Sequence, residues 1–147
     1  MKSLLSLLIA GLLSFQVQAT DLYMSRSPIS FPETMLKLQD TIKSLGYKVS
    51  RVQRVDIGLT TSGYKTDKYR VVFYGKTDEV ISLSKKYPHL VPYLPLKIAI
   101  FAEGEETLLV SPSPLLLNET NAPELKPVLA KWEKDLATIM ARMRAAE

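Results

Sequence analysis

Lys97 interrupts the run Leu96-Lys97-Ile98-Ala99-Ile100-Phe101-Ala102, which is otherwise apolar. An amine in such a place can anchor an anion, or act as a base if burial lowers its pKa. It equally fits the water-facing side of a half-covered strand. Tyr74 and Tyr93 precede Lys76 and the Lys97 run, and amphipathic rings there can line a pocket with their polar tips inward. Asp56 follows Arg51 and Arg54, a spacing that suits an ion pair with a lowered carboxyl pKa. Lys97, Tyr93, Tyr74, Lys76, Arg51, Arg54 and Asp56 are therefore the candidate ligand-binding residues.

None of these groups announces catalysis. His89 is the single histidine, set between Pro88 and Leu90, and no serine or carboxylate pairing converges on it, which places it in a surface loop. The absence of cysteine excludes disulfides, thiolate metal sites, a cysteine nucleophile and covalent haem attachment. Met140 and Met143 stand three apart, as thioether copper ligands can, but they continue an apolar stripe where core residues are required. No catalytic residue, metal site or cofactor is assigned.

The elements that must position these residues are legible from period and punctuation. Asp21 to Ser27 reads as a first strand. Ser30-Phe31-Pro32-Glu33 is a capping-box pattern with proline in the first turn, and Met35, Leu38, Ile42 and Leu45 continue at helical spacing up to Gly46. Tyr47 to Thr60 is β-branched. Its alternation slips at Val52, which suggests a bulge or a strand covered on both sides. Tyr69 to Tyr74 is its hairpin partner across a basic tip. Thr77 to Tyr87 reads as a helix capped by Thr77, with Val80, Ile81 and Ser84 inward. Pro88, Pro92 and Pro95 punctuate a loop. Leu96 to Ala102 and Glu106 to Ser111 form a second hairpin, and Pro112 to Pro123 an irregular connector. Leu125, Val128, Leu129, Trp132, Leu136, Ile139, Met140 and Met143 mark a C-terminal amphipathic helix over about 124–145. This order predicts an α+β fold: one domain, a mostly antiparallel sheet of about five strands packed by three helices.

The amino terminus carries an address. Lys2, the apolar block Leu4 to Leu13 and Val17-Gln18-Ala19 form a secretory signal peptide over 1–19. The block is far short of the ~20 residues needed to span a bilayer. The mature domain is 20–147, periplasmic or secreted, with no membrane span. The chain of 147 residues has a formal net charge of +4. Ten lysines and arginines lie between Lys43 and Lys86, whereas acids prevail from Glu103 onward. That asymmetry suits an anionic small molecule, an acidic protein patch, self-association, or simply a mixed solvated surface. Nucleic acid does not fit an exported protein.

With the elements placed, Val71-Val72-Phe73-Tyr74-Gly75-Lys76 and Tyr93-Leu94-Pro95-Leu96-Lys97-Ile98 resemble the two signature stretches of the domain-of-unknown-function 302 family (DUF302). The helix start at Ser30 and its exit at Gly46-Tyr47 are similar to that family's first helix. The resemblance covers about residues 22 to 114. It implies helices packed on an antiparallel sheet and a homodimer, and no established reaction. The chain departs from the pattern twice. Phe73-Tyr74-Gly75-Lys76 stands where many members have Phe-Gly-Asn-Pro. Asp56 is followed by Ile57 where many have an Asp-His pair opening a short helix, and Gly58 to Gly63 does not read as helix. The expected function is an exported soluble binding or accessory domain for an anionic small molecule or acidic partner. The alternative is a periplasmic enzyme using Lys97 with a nearby carboxylate or tyrosine.

Overall fold

Five strands form one antiparallel sheet, with the chain passing repeatedly to one of its faces. The computed structural model describes residues 21–119 and 122–145. The signal-peptide segment 1–19 and Thr20 lie outside them. The strands are β1 (Leu22–Ser27), β2 (Lys48–Arg54), β3 (Tyr69–Gly75), β4 (Leu96–Glu103) and β5 (Glu106–Pro112), in the order β1-β5-β4-β3-β2. The helices are α1 (Phe31–Ser44), α2 (Val55–Thr61), α3 (Thr77–Lys86) and α4 (Lys126–Arg144). Short 3-10 segments at Pro88–Tyr93 and Pro114–Glu119 flank the central hairpin. This is the α+β architecture that the periodicity predicts, with one helix more.

The core forms where apolar stripes from α1 and α4 meet one face of the sheet. Leu38 and Ile42 of α1 and Leu129, Trp132, Leu136, Ile139, Met140 and Met143 of α4 are buried. They face Val72 and Tyr74 of β3, Ile98 and Ile100 of β4 and Leu109 of β5. The stripe on α4 matches the one in the sequence, so Met140 and Met143 are core residues. At the start of α1 the Ser30 hydroxyl donates to Glu33 Oε2 at 2.6 Å and the Ser30 N–H to the same oxygen at 3.3 Å. Gly46, with φ 83°, turns the chain out of the helix.

The slip in β2 is a bulge. The pairing shifts between Val49 and Arg51, so Ser50 is the extra residue. Val49 pairs with Tyr74 and Val52 with Val72, which puts both valines on the core face, and Arg51 pairs with Phe73 on the other.

Three expectations are corrected. The second strand ends at Arg54, and α2 follows where the β-branched run predicts strand to Thr60. Hydroxyl groups explain the difference. Thr60 donates to the Asp56 carbonyl, Thr61 to that of Ile57 and Ser62 to that of Gly58, at 2.7–3.0 Å, while Asp56 occupies the first turn. Gly63, at φ 88°, ends the helix. A helix therefore opens at Asp56 without a histidine after it. In α3 the cap position falls on Lys76, not Thr77, with no side-chain cap hydrogen bond. Ile81 is 48% exposed, so of the three residues expected inward only Val80 and Ser84 are partly buried, and Leu83 packs against the core.

Candidate functional site

The antiparallel register brings one end of β3, β4 and β5 together as Tyr74↔Leu96 and Phe73↔Lys97, with the Ser111 hydroxyl donating to the Lys97 carbonyl at 2.9 Å. The chain leaves this end through two segments that the prolines keep out of longer helix. One is Pro88–Tyr93, ahead of β4, and the other begins at Ser113, after β5. Between them and the strand ends lies a cavity of about 630 Å³. The strands contribute Tyr74, Leu96, Lys97, Ser111 and Pro112. His89, Leu90 and Tyr93 line one side, and Ser113, Pro114, Leu116 and Leu117 the other. The volume lies inside the roughly 300–1,000 Å³ range of small-molecule sites.

The lining is mainly apolar, and most of its polar groups are already engaged. The Ser113 hydroxyl donates to Glu133 Oε2 at 2.7 Å and accepts from the Leu115 N–H at 3.1 Å. Glu133 also accepts from the Tyr23 hydroxyl at 2.5 Å, and that bond, helped by burial, pushes the Tyr23 phenol up to about 12. Tyr74 is 2% exposed and packs edge-on against Tyr47, their ring centres 5.4 Å apart. Burial raises its pKa, with the Asp135 charge adding to the effect. Its hydroxyl has no hydrogen-bond partner among the described residues. Lys97 is partly buried, and no carboxylate pairs with it among the described residues. The cavity is thus bordered by Lys97 and Tyr74, whose side chains have no hydrogen-bond or ion-pair partner among the described residues, and by a large apolar wall.

Three of the seven candidate residues, Lys97, Tyr93 and Tyr74, meet here. The other four do not. Lys76 lies 5.4 Å from the Tyr47 ring centre, which Lys131 also approaches, at 5.3 Å. The Tyr47 hydroxyl donates to Asp135 Oδ2. Burial works to raise the Asp135 pKa, but hydrogen bonds from Lys131 and Tyr47 outweigh it and hold the carboxyl below its usual range. Arg51 faces away from the helices. Arg54 sits at the opposite end of the sheet, paired across strands with Arg70. Asp56 is ion-paired with Arg70, not with Arg51 or Arg54. Burial and the neighbouring Arg54 charge lower the Arg70 pKa.

Residues that the motif reading passed over complete the cavity. His89 is exposed on its rim, its ring 6.0 Å from that of Tyr87. Leu116 and Leu117 come from the irregular connector, where consecutive leucines after Pro114 are the available signal. Among the described residues no cluster of three or more His, Cys, Asp or Glu could hold a metal ion, and no helix is long and apolar enough to cross a membrane.

The model of the family "Domain of unknown function DUF302" matches residues 23–143. The chain belongs to the DUF302 family. Among solved structures it is similar to an uncharacterized conserved DUF302 protein from Bacillus stearothermophilus. The TM-score is 0.75 at 24% identity, over 86% of this chain and 100% of that one. That likeness carries the fold. No curated protein matches the chain. The family match spans both 3-10 segments and α4 almost entire, so this DUF302 domain includes every wall of the cavity.

Proposed function

We propose that this DUF302 chain is an exported, non-enzymatic binding domain whose ligand is an anionic small molecule held in the cavity at Lys97. The observation that carries the reading is Lys97, a wall residue of a cavity of about 630 Å³ that has no ion-pair partner among the described residues. An ammonium that loses hydration without a counter-charge is costly to keep, and a ligand anion would supply the partner. Enzyme chemistry at Lys97 would need an acid or base beside it. Asp56 is committed to Arg70 at the far end of the sheet, and among the described residues the cavity lining contains no carboxylate. Native mass spectrometry of the protein purified from its own compartment tests the reading. A retained low-mass anion, lost in Lys97→Met, is the expected result. A ligand-free spectrum that stays ligand-free when cell extract is added back contradicts it.

Export rests on Lys2, the Leu4 to Leu13 block and Val17-Gln18-Ala19. Amino-terminal sequencing should begin at or near Thr20, and an intact Met1 in the cytoplasmic fraction would end that part of the proposal.

A homodimer is supported by a separate observation. The sheet face away from the helices carries Tyr69, Val71 and Phe73, Ala99 and Phe101, Leu108 and Val110, and Leu22 and Met24. Leu22 and Met24 are 47% and 51% exposed. A contiguous apolar sheet face is a candidate interaction surface. One end is basic through Lys48 and Arg51, and the other carries Glu105 and Glu106 beside Glu103, which Arg26 already pairs. A second copy with its strands antiparallel to the first would set each basic end over an acidic one. Sedimentation should give a dimer that Val71→Lys converts to monomer. A wild-type monomer at all concentrations removes the homodimer.

A further inference from the structure

Resting on the reading of the cavity as a ligand site, we propose that its ligand is an amphipathic monocarboxylate: one anionic head at Lys97 on an uncharged apolar body. The head carries a single charge because Lys97 is the one lysine or arginine in the lining among the described residues, so a polyphosphate or dicarboxylate would leave charge unmatched. The body is apolar because the wall is largely leucine and proline and its two serine hydroxyls are committed. Ser111 donates to the Lys97 carbonyl and Ser113 to Glu133. The body instead meets Leu90, Leu96, Pro114, Leu116 and Leu117. Leu116 and Tyr93, on opposite sides of the cavity, are 42% and 53% exposed, and a ligand between them would cover both. At about 30 Å³ for a water-sized group, the 630 Å³ holds a body of roughly ten to twenty non-hydrogen atoms with room for imperfect fit.

Calorimetric titration of the purified protein with decanoate, 1-decanol, decylammonium and acetate tests this. Decanoate should bind at least ten-fold more tightly than decanol, and more tightly still than decylammonium, with no heat from millimolar acetate. Lys97→Met should bring decanoate down to the affinity of decanol, and Lys97→Arg should keep the preference, which separates charge from folding. Leu116→Trp, which fills the cavity, should weaken decanoate and decanol together. Decanol binding as tightly as decanoate overturns the anionic head but leaves the cavity as a ligand site. Acetate binding as tightly as decanoate overturns the apolar body in the same way. If Leu116→Trp binds decanoate as the wild type does, the cavity itself is wrong as the site and both readings fall. Silence from all four probes, while a retained native anion is still seen by mass spectrometry, overturns the monocarboxylate alone.

Discussion

The two ends of the sheet treat charge in opposite ways. At one end Arg70 is enclosed and paired with Asp56, Lys68 and Arg70 each lie 5.9 Å from the Phe31 ring centre, and Tyr69 stacks on Phe101 at 4.3 Å. At the other, among the described residues, Lys97 has no ion pair and Tyr74 no hydrogen bond, and the neighbouring segments stand apart around a cavity. A helix makes the difference. α2 follows β2 directly and brings Asp56 to Arg70, whereas at the opposite end no acid among the described residues pairs with Lys97. The same strands thus supply a closed structural end and an end with unused recognition groups.

Breaking what the two ends share should cost most. Trp132 is 2% exposed in the common core, and its indole N–H donates to Glu79 Oε1 at 2.8 Å, joining α4 to α3. Trp132→Ala should lower unfolding free energy by about 3–5 kcal/mol in a urea melt. A change under about 1 kcal/mol would show that α4 is peripheral.

The closed end comes next. Asp56→Ala leaves a largely buried guanidinium unpaired and should cost about 3 kcal/mol, the low end for a broken buried pair. If it costs no more than an exposed pair, the ends do not differ as described.

Tyr23→Phe, beside the open end, removes a hydrogen bond to a carboxylate and should cost about 1.5–3 kcal/mol. It also carries a pH signature. The folded Tyr23 pKa of about 12 lies above its ordinary 10.0, so its contribution is complete below pH 10 and fades as pH rises towards 12. Wild type should lose stability over that window more steeply than Tyr23→Phe. Parallel alkaline profiles would count against the Tyr23–Glu133 bond.

Lys97→Met should have the smallest effect on folding, within about 0.5 kcal/mol of wild type. A loss comparable to that of Asp56→Ala would make Lys97 structural and erase the contrast between the ends.

Much of the fold was legible because it depends on local period. The α4 stripe from Leu125 to Met143 and the cap at Ser30 are readable from spacing alone, and the slip at Val52 disclosed the bulge at Ser50 without locating it. Helix α2 was not, because Thr60 and Thr61 favour strand until their hydroxyls find carbonyls four residues back. The site was half legible. Lys97, Tyr74 and Tyr93 stood out by type, but Leu116 and Leu117 join them only when two irregular segments far apart in sequence meet at one sheet end. No periodicity encodes that meeting. Asp56 was assigned to Arg51 or Arg54 by proximity in sequence, whereas the register delivers Arg70 from the neighbouring strand.

The bulge at Ser50 has a consequence for colloidal behaviour. β2 is the outermost strand on its side of the sheet, so its free backbone groups are a template for another chain. The extra residue breaks the regular ladder there, and Lys48, Arg51 and Arg54 place a cation at nearly every turn of the pleat. A second β2 laid alongside would meet like charge and an interrupted row of donors and acceptors, so the sheet stops at five strands instead of growing into a fibre.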